Sequence, residues 1–506
     1  MATRGRSEQS NMAVSRQHNT QPSILAERRW LILPIVPLAF AARLYRLDVQ
    51  SLWFDESLSA LFASEPFALS IRAMLEEGLH HSPLYYILLR PFAAFGFSEF
   101  SLRFFSVALG VLAIPLLAQL GRLTVGPKAG LLAAFLLAIN PFHVWYSQEA
   151  RMYTLLVVAS IGAMLFLARN LQSARLWNWL GLTLLVSIGI NVHHFAFFIP
   201  LIQFVFLVVS LRRNYRLLRS WAGSQLLAGL SLIPWIITVL DWGHFYFSSA
   251  SNRPATWLDP LQTLWNFSLG YTETVTPGIV VFMSLFVILL AFAAVSIPPN
   301  DARQLLLLWM LLPPIVVLLL SLRLPMYLDR YLIVAFPPFL LLVSAGIHRF
   351  RQPVLRFAIG TVVTGAMLMG LYRVYYDTSV YSRTDWRGVG QYLESNGKPG
   401  DVITPWYYQY LVPLIFYYHG QLEIRPVIVQ DKVNLPNSAS PLSQRAWVII
   451  AYPNDSSHLV GHCQPFDMKV LGSPPAAENW WRVNQFNLVE AVDFSCIRLE
   501  GHQLRP

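Results

Sequence analysis

Charge is scarce in this sequence. Lys, Arg, Asp and Glu together make up 13% of its 506 residues, where a soluble domain carries about 25%. So little charge leaves little surface that can face water, which excludes an ordinary soluble enzyme. Cysteine is scarcer still. Cys463 and Cys496 are the two present, and no CxxC or Cys/His spacing marks a zinc module. A disulfide between them and two unpaired buried thiols both stay open. Nucleotide chemistry lacks its usual signatures, since there is no P-loop, no GxGxxG after a strand and no DxD triplet. The first 27 residues lack the apolar stretch of a signal peptide and read as a disordered cytoplasmic tail. No tandem repeat is evident.

Apolar residues fill the space that charge leaves, at 55% of the chain. A membrane-spanning helix needs about 20 mostly apolar residues. Such runs recur at 30–47, 101–121, 129–146, 152–168, 176–191, 194–211, 221–240, 276–297, 304–322, 332–347 and 357–374, which predicts about eleven spans. Asn191, His193 and His194 divide 176–211 into a pair. The net charge of +10 sits in short clusters between these runs. It therefore reads as membrane topology and not as a nucleic-acid surface. With the N-terminus inside, the inside segments hold 17 Lys or Arg and the opposite short loops hold 9, Arg43 and Arg103 among them. That bias places the N-terminus in the cytoplasm and, with an odd span count, the C-terminus outside.

Three outside segments are longer than turns require. The first, 48–100, contains an apolar run from Pro83 to Phe97 that carries Arg90 and Pro91, as an interfacial helix would. The second, 241–275, is rich in the aromatic residues of a membrane boundary. The third, 375–506, mixes polar and apolar residues, with strand-like runs at Asp401–Thr404, Leu422–Val429 and Ala446–Tyr452 and a helical pattern at Trp386–Ser395. The predicted organisation is a tail over 1–28, a helical membrane domain over 29–374 with a first outer loop 48–100, and a small extracytoplasmic α/β domain over 375–506.

Ionisable side chains beside a bilayer are costly, so each is a candidate for function. Asp55 and Glu56 form an acidic pair just past the first run, and a carboxylate there can act as a general base. The competing role is capping of a helix that starts near Ser57. His80-His81-Ser82-Pro83-Leu84-Tyr85-Tyr86 offers His81 and Tyr85 to a ligand, or simply a histidine beside a tyrosine belt. Ser147-Gln148-Glu149-Ala150-Arg151-Met152-Tyr153 places Glu149, Arg151 and Tyr153 in a tight turn. Arg151 could hold a phosphate through its planar fork, or clamp Glu149. Arg330 and Tyr331, in Tyr327-Leu328-Asp329-Arg330-Tyr331, could meet a lipid phosphate, or Arg330 could snorkel to headgroups. All four clusters fall on the outer side. A base, an arginine for phosphate and a membrane scaffold suit a substrate with a lipid tail.

These motifs, with Asp385-Trp386-Arg387 opening the tail, resemble the GT-C superfamily of membrane glycosyltransferases. The likeness is to the bacterial family 39 proteins, related to the protein O-mannosyltransferases and to the lipid A aminoarabinose transferase, and it covers 30–430. It implies an inverting hexosyl- or pentosyltransferase in the inner (plasma) membrane. The donor would be a polyprenyl-phosphate sugar and the acceptor an extracytoplasmic glycan, lipid or protein; membrane lipids are further partners and nucleic acid is not. Asp55 matches the family's essential acidic residue, taken as the catalytic base. Glu56 is grouped with it; His81, Tyr85, Glu149, Arg151, Tyr153, Arg330 and Tyr331 are the expected substrate-binding residues. One departure is clear: where many members have Glu-Lys-Pro or His-x-Pro-Pro, this chain has His81-Ser82-Pro83, so a phosphate-contacting lysine is missing. Metal use varies among relatives, so no cofactor is assigned and a divalent metal is left open. A transporter or flippase of lipid-linked sugars is the alternative. It would place charges near the midplane and show related halves, and neither is seen in this sequence.

Overall fold

A computed structural model describes residues 28–76, 82–210, 215–242, 254–271, 277–298, 301–405, 410–425, 428–429, 432–433, 445–451, 486–495 and 497–504. His81, Cys463 and Cys496 lie outside the described residues. The architecture is mainly helical, and a helix occupies each of the eleven apolar runs. By length and composition, five of these helices can cross a membrane, or seven when each of two bent pairs is taken as one span. The other four runs carry shorter apolar helices, among them Leu176–Val192 and His194–Val209. Lipid-facing sides explain why many large apolar residues lie exposed, as Val354 and Phe357 do on the helix Pro353–Tyr376.

The helix Glu99–Thr124 packs along Pro127–Ile139 and Tyr153–Gln172. At Gly121 it touches its neighbour backbone to backbone: a Cβ there would lie 2.4 Å from the Cα of Gly130. Small residues at such crossings let helices approach without a cavity. The run 129–146 is not straight. Pro127–Ile139 and Pro141–Ser147 meet at 57°, because Pro141 cannot donate a backbone hydrogen bond. Asn140 caps the second piece by accepting from the His143 N–H at 2.9 Å. The carbonyls freed at the end of the first piece accept from Arg43, at 3.1 Å for Leu137 and 3.0 Å for Ala138. Arg43 is fully buried, and so is Arg103. The sequence reading had counted both as outer-loop charges. They leave that tally because backbone carbonyls and a carboxylate take them inside the protein.

The helices Phe54–Ser64, Phe67–Glu76 and Leu84–Ala94 share a second apolar core. Pro83 sits at the N-cap of the last of these. The acidic pair lies inside the first turn of Phe54–Ser64, not ahead of it, since the helix opens at Phe54 and not near Ser57. Past Tyr376, the helix Trp386–Asn396 is capped by Asp385, which accepts from Gly388 N at 2.9 Å. A five-stranded sheet follows, in the order 423–424, 402–405, 445–451, 497–504, 486–494. The first three strands run parallel and the last two pair antiparallel. The strand expected over 422–429 is two short pieces, Glu423–Ile424 and Ile428–Val429. The last two strands, Phe486–Phe494 and Ile497–Leu504, lie beyond the three strand-like runs read in the sequence. A short helix, Leu411–Tyr417, lies against Phe54–Ser64. The tail segment thereby touches the element that carries the acidic pair.

Candidate active site

The helix Phe54–Ser64 carries Asp55 and Glu56 in its first turn, where carboxylates complement the exposed N–H groups. The two neighbours have opposite surroundings. Asp55 keeps a quarter of its side chain open, at 24%, and faces Arg151 across 3.6 Å. Arg151 also donates from Nη1 to the Asp55 carbonyl at 3.3 Å and to Ser59 Oγ at 3.4 Å. That ion pair is loose, longer than a charge-assisted hydrogen bond.

Glu56 is fully buried, and both oxygens are taken. Oε1 accepts from Arg103 Nε at 2.9 Å and Ala150 N at 2.8 Å. Oε2 accepts from Arg103 Nη2 and Arg383 Nη1, each at 2.8 Å, and from Trp53 N at 3.4 Å. Burial pushes this carboxyl up, but the charges of Arg103 and Arg383 outweigh it and hold Glu56 at about 2. So firmly ionised and enclosed a group is a poor proton acceptor. It ties the acidic turn to the 148–152 turn and to the tail.

The segment 148–152 is an irregular turn, so Glu149 and Tyr153 do not share a helical face. The clamp expected between Glu149 and Arg151 is absent as well. Glu149 instead faces Arg383 at 3.6 Å, while its Oε2 has no partner among the described residues. Burial raises its pKa, Arg383 opposes this and Glu56 adds to it; the balance lies at about 7.

Arg330 arrives from the loop ahead of the helix Phe336–Arg349. Its neighbour Asp329 anchors that loop by accepting from Thr263 Oγ1 at 2.5 Å and Asn266 Nδ2 at 2.6 Å. The Arg330 guanidinium lies over the Trp53 ring at 5.8 Å and the Tyr331 ring at 5.5 Å. Tyr331 packs on His193 with centroids 5.2 Å apart, and His193 on Tyr153 at 6.3 Å. Tyr153 lies within electrostatic reach of Arg330, Arg151 and Asp55. Thus Asp55, Arg151, Tyr153, Arg330 and Tyr331, distant in sequence, gather at one place. The guanidinium groups of Arg151 and Arg330 lie within electrostatic reach of Asp55 and of Glu149, and Glu149, held at about 7, is only partly ionised, so the carboxylates do not fully offset the two cations. The buried Nε atoms of Arg151 and Arg330 have no hydrogen-bond partner among the described residues, and an unpartnered buried donor is costly. A bound anion would satisfy both the charge and the donors.

Tyr85 borders this group, within electrostatic reach of Arg151. It is buried in the second core, with its hydroxyl 3.4 Å from Ser106 Oγ. Among the described residues, no three His, Cys, Asp or Glu side chains are placed to hold a metal ion, and the carboxylates of Glu56 and Glu149 face arginines. Sequence reasoning missed Arg103 and Arg383, the partners of Glu56, and it noted His193 only as a helix breaker. A buried carboxylate demands a cation, but nothing local says which of 37 Lys or Arg residues supplies it.

The model of the dolichyl-phosphate-mannose-protein mannosyltransferase family matches residues 80–240. No curated protein matches the chain. Among solved structures, ArnT from Cupriavidus metallidurans bound to undecaprenyl phosphate aligns over 93% of this chain and 97% of its own, with a TM-score of 0.61 and 13% identity. The oligosaccharyltransferase of Archaeoglobus fulgidus in complex with zinc and sulfate aligns over 83% of this chain and 67% of its own, at a TM-score of 0.51 and 12% identity. Mycobacterial arabinofuranosyltransferase AftD aligns over 94% of this chain and 41% of its own, at a TM-score of 0.52 and 14% identity. At such identities the likeness is one of fold. Family model and fold agree with the resemblance that the motifs carry.

Proposed function

We propose, on the premise that this chain has the fold of the GT-C membrane glycosyltransferases, that it transfers a sugar from a polyprenyl-phosphate donor to an acceptor outside the cytoplasm. The supporting observation is the loose pair of Asp55 and Arg151 at 3.6 Å, with Arg330 as a second cation. ArnT from Cupriavidus metallidurans has the same fold and binds undecaprenyl phosphate. Here the lipid tail lies between helices, and the phosphate displaces Arg151 from Asp55 and rests between Arg151 and Arg330. The phosphate takes the place of the missing partners of the two Nε atoms.

The released carboxylate of Asp55 takes the proton of an acceptor hydroxyl as that oxygen attacks the anomeric carbon. The bond from that carbon to the phosphate oxygen breaks on the opposite face, and the polyprenyl phosphate leaves with the electron pair. Configuration inverts. The two guanidinium groups stabilise the charge that grows on the leaving phosphate. Tyr153 and Tyr331 flank the sugar. Glu56 positions Asp55, and Glu149 orients the acceptor side of the turn. The wider frame is part of the same proposal: eleven crossings of the inner membrane, a cytoplasmic N-terminus, and an extracytoplasmic tail domain over 375–506.

The test is Asp55→Asn. Transfer from a radiolabelled polyprenyl-phosphate sugar in membranes should fall at least about a thousandfold, the scale of losing a base, with the protein still inserted. Undiminished transfer by D55N removes the assignment.

A further inference from the structure

The apolar run 176–211 breaks at His193, between the helix Leu176–Val192 and a turn over His194–Phe197. A break among apolar helices leaves backbone groups to satisfy, and His193 satisfies one of them: its Nδ1 accepts from Phe195 N at 3.1 Å. That bond fixes the tautomer. A nitrogen that accepts carries no proton, so the hydrogen of the neutral ring sits on Nε2. Burial, and then the charges of His194, Arg151 and Arg330, hold His193 well below the usual histidine range, so the ring is neutral. Nε2 has no partner among the described residues, and the side chain is only half-buried. The ring packs on Tyr331 and Tyr153, and Arg330 lies over Tyr331. An oriented N–H donor therefore stands beside Tyr331 and Tyr153, the rings that adjoin the two arginines with unpartnered donors.

We infer that His193 contacts the donor substrate, its Nε2–H giving a hydrogen bond to an oxygen of the lipid-linked phosphate as a third donor beside Arg151 and Arg330. This rests on the function proposed above. The helix break serves two ends, since the same ring caps the turn through Nδ1 and binds the ligand through Nε2.

Two substitutions separate those ends. In His193→Asn, the amide oxygen can replace Nδ1 as the acceptor for Phe195 N, but nothing replaces Nε2. In His193→Gln, the amide nitrogen reaches the position of Nε2 and the cap is lost. Binding of a polyprenyl phosphate, with the matching polyprenol as control, is measured on the full chain in nanodiscs. H193N should bind the phosphate about 10- to 100-fold more weakly, the value of a hydrogen bond to a charged group. H193Q should bind within about threefold of the unaltered protein. Polyprenol binding should not change in either. Normal phosphate binding by H193N, with loss in H193Q, overturns the inference and leaves a cap alone. An unaltered protein that does not prefer the phosphate to the polyprenol overturns the donor reading and this inference with it. If neither variant accumulates, the unaltered protein decides: polyprenyl phosphate, but not polyprenol, should shift the nitrogen and proton resonances of His193 Nε2–H. No difference between the two ligands overturns the contact.

Discussion

Arg383, beyond the last membrane helix, places Nη1 2.8 Å from Glu56 Oε2, a carboxylate near the other end of the chain. The same guanidinium reaches the Gln148 carbonyl at 3.1 Å and lies over the Trp145 ring at 4.7 Å. One side chain thus joins the acidic turn, the 148–152 turn and the tail.

Adjacent carboxylates should then respond in opposite ways. Glu56→Gln leaves Arg103 buried without its counter-charge and Arg383 with Glu149 alone, and loss of one partner from such a site costs about 3–5 kcal/mol. A marked drop in the thermal midpoint is expected. D55N, at a partly open site, should keep its midpoint while losing transfer. Equal midpoints for E56Q and D55N would contradict the framework role of Glu56.

Arg383→Lys retains the charge but not the fork. A lysine cannot meet Glu56, the Gln148 carbonyl and Glu149 in the same geometry. Turnover should fall about tenfold or more through misplacement of Asp55 against Arg151, with little change in donor KM. A rise in KM with turnover intact would instead assign Arg383 to donor binding.

Glu149 makes stability depend on pH in a stated direction. Its folded pKa of about 7 lies above the ordinary 4.5, so the folded state binds its proton more tightly. The stabilisation is full below pH about 4.5 and is lost as pH rises through about 7, a span worth roughly 3 kcal/mol. Glu149→Gln should be more resistant to heat than the unaltered protein at pH 8 and show a flatter profile between pH 5 and 8. Parallel thermal profiles for the two proteins would refute the assignment.

Arg151→Lys and Arg330→Lys test the anion site. Each keeps the charge and removes bidentate contact with a phosphate. Each should weaken polyprenyl-phosphate binding by about tenfold, with polyprenol binding unchanged. Loss of binding to both ligands would point to collapse of the cleft and not to loss of phosphate contacts.

Much of the fold was legible because membrane helices declare themselves locally. A run of about 20 apolar residues is sufficient signal, and all eleven runs carry helices. Asp55, Arg151, Tyr153, Arg330 and Tyr331 were legible for a related reason, since a polar residue at the edge of an apolar run is costly and conspicuous. The bend at Pro141 was less so. Membrane helices tolerate proline, and here the carbonyls that Pro141 frees are taken up by a distant guanidinium, that of Arg43.

Composition and hydropathy by themselves determined that this protein is built of membrane helices and which rim residues were worth suspecting, because transfer into lipid is decided residue by residue. Only the tertiary structure decided that Asp55 stands partly open while Glu56 is sealed between Arg103 and Arg383, that Tyr85 is core, and that His193 caps its own turn and packs on Tyr331 and Tyr153. Such roles depend on which charges and rings meet across hundreds of residues, and no local stretch of sequence encodes that meeting.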